Sequence, residues 1–332
     1  MSRDRLALGL IGAGRIGRLH ADHLLRHIPR ARLLMVADVV EAAARQVCAP
    51  QAVTDYRLVL DSHEVEAVVI CSATDTHAQM VEAAAAAGKH IFCEKPIALN
   101  LAAVDRSAAA VERAGVTFQV GFNRRFDASY RRARRAIEAG EIGDVWRLHL
   151  TSRDPSPPPL DYIRVSGGLF LDMTIHDFDM ARFLLASEVE EVYAVAAVRV
   201  DEAIGQAGDV DTAVTTLSFA NGVIATIDNN RQAVYGYDQR VEVLGSRGML
   251  ATGNAYPNTA VISDARGVRR DLPLHLFLER YVESYRAEMA AFVDAVLDGT
   301  PPPVTGADAR AALSLALAAL QSHNEHRPVS LS

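Results

Sequence analysis

An aspartate and a histidine four residues apart, Asp172 and His176, stand in the run Gly167-Gly168-Leu169-Phe170-Leu171-Asp172-Met173-Thr174-Ile175-His176-Asp177-Phe178-Asp179-Met180. From about Leu171 to Leu185 apolar residues recur at intervals of three and four, the period of a half-buried helix. On such a helix the two polar side chains lie one above the other on the same face. A carboxylate that orients or charges an imidazole makes a general base near neutral pH. Ser166 and the two glycines ahead of the run read as a loop entering a helix close to a ligand. Spacing alone also fits a plainer account, and on that ground the plainer account is the stronger. In it Asp172 is a first-turn residue favoured by the helix dipole, and His176 is an ordinary polar-face residue.

A second kind of chemistry is written near the start. Arg5 to Ile11 form a short apolar strand that runs into Gly12-Ala13-Gly14-Arg15-Ile16-Gly17, matching G-x-G-x-x-G, and then into a helix carrying Leu19, Leu24 and Leu25. The glycines permit a tight turn and let backbone amides reach a pyrophosphate at the helix N-terminus, so Gly12, Gly14, Arg15 and Ile16 are expected cofactor contacts. The next strand, Ala31 to Ala37, ends in Asp38. An acid about 20 residues past the last glycine accepts hydrogen bonds from both hydroxyls of an adenine ribose and repels a 2′-phosphate, which favours NAD over NADP.

These residues need a scaffold, and the alternation of elements supplies one. Glu66 to Cys71 is a continuously apolar strand, as in a parallel sheet covered on both faces, and it ends in Ser72-Ala73-Thr74-Asp75-Thr76-His77 at the start of an Ala-rich helix. His90 to Cys93 ends in Glu94-Lys95-Pro96, and Val116 to Gly121 leads to Asn123. Ligands of open parallel sheets sit at the carboxyl ends of strands, which puts Ser72, Thr74, His77, Glu94, Lys95 and Asn123 on the correct edge. Lys95 in that position suggests a catalytic or cofactor contact. His20, His23 and His27 lie on the first helix at offsets of three and four, but no carboxylate or cysteine completes a metal site with them convincingly. They are expected to face solvent or pack, with no metal bound.

After about residue 122 the pattern changes. A basic helix from Asp127 to Ala139, a strand from Asp144 to Leu150 and a stiff proline-rich loop (Arg153 to Pro159) precede the Asp172 helix. Strand-like runs then follow at Glu190–Val200, Asp211–Phe219, Gly222–Asn229, Gln239–Leu244, Met249–Thr252 and Ala260–Ser263, with turns between them. Two helices, about 277–298 and 306–321, close the chain. The expected fold is α/β: an N-terminal doubly wound parallel sheet (residues 1–122), then an α+β domain (123–332) with a large, mostly antiparallel open sheet. The last helices are expected to pack back toward the first domain.

Composition excludes several classes. Half of the 332 residues are hydrophobic and 23% are charged, ordinary for a globular enzyme and too apolar for disorder. With a net charge of −7, the one basic cluster, Arg131 to Arg135, reads as a solvated helix face or subunit contact rather than a nucleic-acid patch. No apolar run spans a membrane and no signal peptide is evident. Cys48, Cys71 and Cys93 have no paired spacing, so a cytoplasmic protein with reduced thiols is expected.

The dinucleotide turn, Glu94-Lys95-Pro96 and Asp172-x-x-x-His176, in that order, resemble the glucose-fructose oxidoreductase / inositol dehydrogenase (Gfo/Idh/MocA) family over essentially the whole chain. Gly121 to Asp127, Arg153-Asp154-Pro155, Ser166 to Met180, Arg231 to Arg240 and Gly245 to Met249 are similar to its bacterial myo-inositol 2-dehydrogenase branch. The resemblance implies a Rossmann domain, an open C-terminal sheet that mediates assembly (a homotetramer is expected), and a catalytic set falling on Lys95, Asp172 and His176. It also implies NAD-dependent oxidation of a cyclic polyol, myo-inositol to 2-keto-myo-inositol (scyllo-inosose). A ring with many hydroxyls needs convergent polar groups, and Asn123, Arg125, Asp154 and Tyr235 are the candidates. For each, a structural role is equally open; Arg125 would equally anchor the domain junction. Two other readings remain: a dehydrogenase of another inositol isomer or a pyranose sugar, and a catalytically silent NAD-binding regulator. Intact Lys95, Asp172 and His176 argue against the last.

Overall fold

The computed structural model describes residues 4–331. It contains two compact units, one of residues up to Phe126 together with Glu283–Leu313, the other of Asp127–Val282 with the residues from Ser314 on.

In the first unit, strands β1 (Leu6–Ile11), β2 (Ala31–Ala37), β3 (Gln51–Val53), β4 (Ala67–Ile70), β5 (His90–Glu94) and β6 (Phe118–Gly121) form one parallel sheet in the order β3-β2-β1-β4-β5-β6. The order reverses at β1, the topological switch point at which doubly wound sheets bind dinucleotides. Every residue of β1 and β4 is buried, as their unbroken apolar runs require. Leu8, Leu10, Val69 and Phe92 join Leu24 of α1 (Arg15–Arg26) and Phe292 in the core. Fully burying one such side chain contributes roughly 1.5–3 kcal/mol. α4 (Thr74–Ala86) follows β4, and α5 (Leu101–Ala114) follows β5. Between α1 and α4 lie the short α2 (Glu41–Gln46) and α3 (Arg57–Asp61). Asn100 caps α5, accepting from the Ala103 N–H at 2.9 Å, and Gly115 ends it in the left-handed region. The C-terminal residues of this unit, from Glu283, supply Met289, Phe292 and Val293 to the same core.

In the second unit, α6 (Ala128–Glu138) is capped by Asp127, which accepts from the N–H groups of Ser129 and Tyr130. β7 (Val145–Arg153), β8 (Val189–Ala197), β9 (Thr212–Phe219), β10 (Ile224–Asn230), β11 (Asp238–Gly245), β12 (Gly248–Thr252) and a final strand (Val329–Ser330) form a seven-stranded sheet. It is antiparallel except where β7 pairs with β10. Residues alternate along β9, with Ala213, Thr215, Leu217 and Phe219 buried and Val214 turned outward. An exposed hairpin of Val261–Asp264 with Gly267–Arg270 completes the strands.

Two expectations are corrected here. The residues before Gly167 are not a plain loop: Leu160–Ser166 form helix α7, ended by Gly167 in the left-handed region. The Asp172 segment is also not α-helical from its start. Phe170–Thr174 form a single π turn, and the regular helix, α8, runs from Ile175 to Leu185. Amphipathic spacing cannot separate a widened turn from an α-turn, because both place residues four apart near one face.

Candidate functional site

The expected residues fall in two clusters, one in each unit. In the first, the glycine turn has the shape that a pyrophosphate needs. Gly12 has φ +96°, and a Cβ there would lie 2.5 Å from the Cys71 carbonyl oxygen. A Cβ on Gly17 would lie 1.9 Å from the Gly12 oxygen. Gly14, by contrast, faces open space at the N-terminus of α1, where no side chain caps the first amides. An anion can take those donors. Arg15 is exposed and Ile16 half-buried at the same helix start. Asp38 follows β2, its Oδ2 accepting from the Ala13 N–H at 2.7 Å and its Oδ1 from the Val40 N–H at 2.8 Å. Each oxygen keeps a lone pair for a diol hydroxyl. The residues therefore fit NAD.

The loops after β4 and β5 are tied together. Ser72 Oγ bonds Thr76 Oγ1 at 2.7 Å, and Thr74 opens α4 half-buried. His77 is buried, with Nδ1 2.8 Å from the Pro96 carbonyl and Nε2 3.0 Å from that of Ser72. Burial lowers its pKa despite those two acceptors. His77 thus braces the loop carrying half-buried Lys95. Glu94 also turns inward: its Oε1 lies 2.7 Å from Nε2 of the buried His20, whose ring meets Phe92 edge-on. Gly121 makes room for it, since a Cβ there would sit 2.8 Å from Glu94 Oε2. Burial, followed by the charge of Glu94, pushes the Cys71 and Cys93 thiols well up, which favours the thiol over the thiolate. Asn123 is buried in a 3₁₀ turn, Asn123–Phe126. Arg125 in that turn pairs with Asp308 at 3.0 Å. Burial works to raise the Asp308 pKa, but Arg125 and the Thr305 N–H and hydroxyl hold it below the usual carboxylate range. Arg125 thus has a structural partner, the alternative that its sequence left open.

The second cluster is the π turn and α8. Asp172 Oδ1 accepts from the Tyr162 hydroxyl at 2.8 Å, and its Oδ2 faces Arg231 at 3.6 Å. His176 is half-buried in the first turn of α8. Thr174 and Asp177 are anchored to one side chain of β10: Thr174 Oγ1 donates to Asn229 Oδ1, and Asn229 Nδ2 donates to Asp177 Oδ2, both at 2.8 Å. Asn229 thereby fixes the rotation of the helix start. Asp154, just past β7, is tied through its backbone to Asn230 (2.9 Å) and Ala233 (2.6 Å). The Tyr235 hydroxyl accepts from Arg153 at 2.8 Å and donates to Asp238 at 2.7 Å. Burial works to raise the Asp238 pKa, but bonds from Arg240, Asn254 and Tyr235 hold it low. The Tyr235 hydroxyl is therefore part of a polar lattice on the sheet.

Residues 6–122 match the model of an oxidoreductase family with an NAD-binding Rossmann fold, and residues 130–251 match that of the GFO/IDH/MocA C-terminal domain. The chain is also 49% identical over 330 residues to the myo-inositol 2-dehydrogenase of Thermotoga maritima, covering 98% of each chain. The chain belongs to the GFO/IDH/MocA oxidoreductase family. Another member, the inositol 2-dehydrogenase of Rhizobium meliloti, is 47% identical over 327 residues, with 98% of each chain covered. A solved GFO/IDH/MocA-like structure, the myo-inositol dehydrogenase from Corynebacterium glutamicum, superimposes with a TM-score of 0.95 at 37% identity over 99% of both chains. As a member of this family the protein is an NAD-binding oxidoreductase, and the regulator reading falls.

Sequence reasoning missed Tyr162, Asp209, Asn229 and Arg231. A fully buried arginine has no signature in composition or period. Asn229 ends a strand-like run and Asp209 stands between two such runs, and neither position shows a link to the π turn until the chain folds.

Proposed function

We propose that the protein oxidises a cyclic polyol with NAD, converting myo-inositol to 2-keto-myo-inositol, with Lys95, Asp172 and His176 as the catalytic set. The observation that carries this reading is the near-full-length identity to inositol 2-dehydrogenases; an Asp38 at the end of β2, accepting from the Ala13 and Val40 N–H groups, supports NAD as the cofactor. Gly12, Gly14, the first amides of α1 and Asp38 would hold NAD, which supplies the hydride acceptor. His176 takes the hydroxyl proton and Asp172 orients it; Lys95 hydrogen-bonds the reacting oxygen and stabilises its developing charge. Asn123 and Asp154 are retained as polyol contacts. Arg125 and Tyr235 are kept as polyol contacts too, each besides the neighbour that it holds. Outward-facing Tyr193, Val195, Val214 and Ile224 support self-association through the open sheet, with a tetramer as the assembly. Among the described residues no helix is long and apolar enough to cross a membrane, and the three cysteines are unpaired; both support a cytoplasmic location. Rates of NADH formation with myo-inositol, scyllo-inositol, D-chiro-inositol and glucose test the substrate. Preference for myo-inositol is expected, and preference for glucose or another isomer would replace that substrate while keeping the reaction class.

A further inference from the structure

We propose that Arg231, backed by Asp209, is the positioning residue of the oxidising segment: it aims Asp172, and through Asp172 it sets His176. The inference rests on the dehydrogenase reading above and deepens it.

Arg231 directly follows β10 and is 1% exposed. Its backbone N–H donates to the Asp211 carbonyl at 2.8 Å, which fixes the root of the side chain. The guanidinium lies between two carboxylates, 3.6 Å from Asp172 Oδ2 and 3.4 Å from Asp209 Oδ2. The other oxygen of Asp209 accepts from the Leu169 N–H at 2.9 Å, the residue just before the π turn. Gly168, with φ +83°, keeps that approach open, since a Cβ there would lie 2.6 Å from Asp209 Oδ1. Tyr162 holds the remaining oxygen of Asp172. The backbone entering the π turn and the carboxylate inside it are thus referred to one buried cation.

A guanidinium suits this place because its planar fork can serve two carboxylates at once, which a lysine ammonium cannot do in fixed geometry. Without it, two half-buried carboxylates would lose the cation between them, and the ties of Asp172 and of the Leu169 backbone to it would be lost. Arg231 acts through Asp172, so it is a positioning residue.

The test uses full-length Arg231→Ala, Arg231→Lys and Asp209→Asn proteins, assayed with NAD and the polyol that the wild type oxidises best. Asp209→Asn keeps an acceptor for the Leu169 N–H and removes only the charge behind Arg231. Turnover is expected to fall on the order of 10²-fold in Arg231→Ala, as for a misplaced catalytic group. A smaller fall is expected in Asp209→Asn and Arg231→Lys. KM and NADH affinity should stay at wild-type values in all three, and free guanidinium ions should restore part of the Arg231→Ala turnover. If Arg231→Ala does not fold, Asp209→Asn and Arg231→Lys decide. Wild-type turnover in those two, or a raised KM with intact turnover, would overturn the inference. A wild type that oxidises no polyol would sink the dehydrogenase reading and this inference together. An active wild type with indifferent variants sinks the inference alone.

Discussion

Three side chains carry the proposed chemistry, and the structure shows what surrounds two of them. Lys95 sits on a loop braced by His77, while Asp172 is held between a tyrosine hydroxyl and a guanidinium. Replacing Lys95 or His176 by alanine should cut turnover by about 10²–10⁴, the range for a lost acid–base group, while NADH still binds. A fluorescence titration that showed lost cofactor binding instead would contradict those roles. Asp38 has a simpler test. Its carboxylate is fixed by two backbone amides and faces no cation in those bonds, so it discriminates by repelling a 2′-phosphate. Asp38→Ala should therefore bring kcat/KM for NADP up toward that for NAD; an unchanged ratio would mean the ribose contact is misplaced. The glycine turn and Asp38 were readable in sequence because each role is local. Arg231 was not, because its partners lie 22 and 59 positions away in the chain and only folding joins them.

At the scale of elements, the parallel sheet was legible almost strand by strand, since unbroken apolar runs between glycine turns leave little choice. Six strands of the antiparallel sheet were legible, but not Val329–Ser330 nor the pairing of β7 with β10, which no local pattern encodes, and the run at Ala260–Ser263 pairs in a separate hairpin instead. The π turn was invisible, for its residues have ordinary helical spacing. What marks it is Gly168, whose positive φ and empty Cβ position admit Asp209. Gly168→Ala should destabilise the protein by about 1–2 kcal/mol for the backbone conformation alone, and more for the contact with Asp209. A lowered Tm together with lowered turnover is expected. An unchanged Tm would show that the turn does not need that backbone.

For the whole molecule, the question is what covers the outer face of the seven-stranded sheet. Val214 and Ile224 are each 52% exposed there, beside Tyr193 and Val195 on β8. Val214→Asp should break the self-association proposed through this face, read as a smaller sedimentation coefficient. The wild-type coefficient in that variant would place the contact elsewhere. The central claim concerns where a hydride goes, and isotope labelling follows it directly. With myo-inositol deuterated at the carbon that becomes the ketone, the account predicts slowed turnover and deuterium in the nicotinamide ring of the reduced cofactor. Unlabelled NADH at an unchanged rate, or bound NAD that is never reduced, would contradict it.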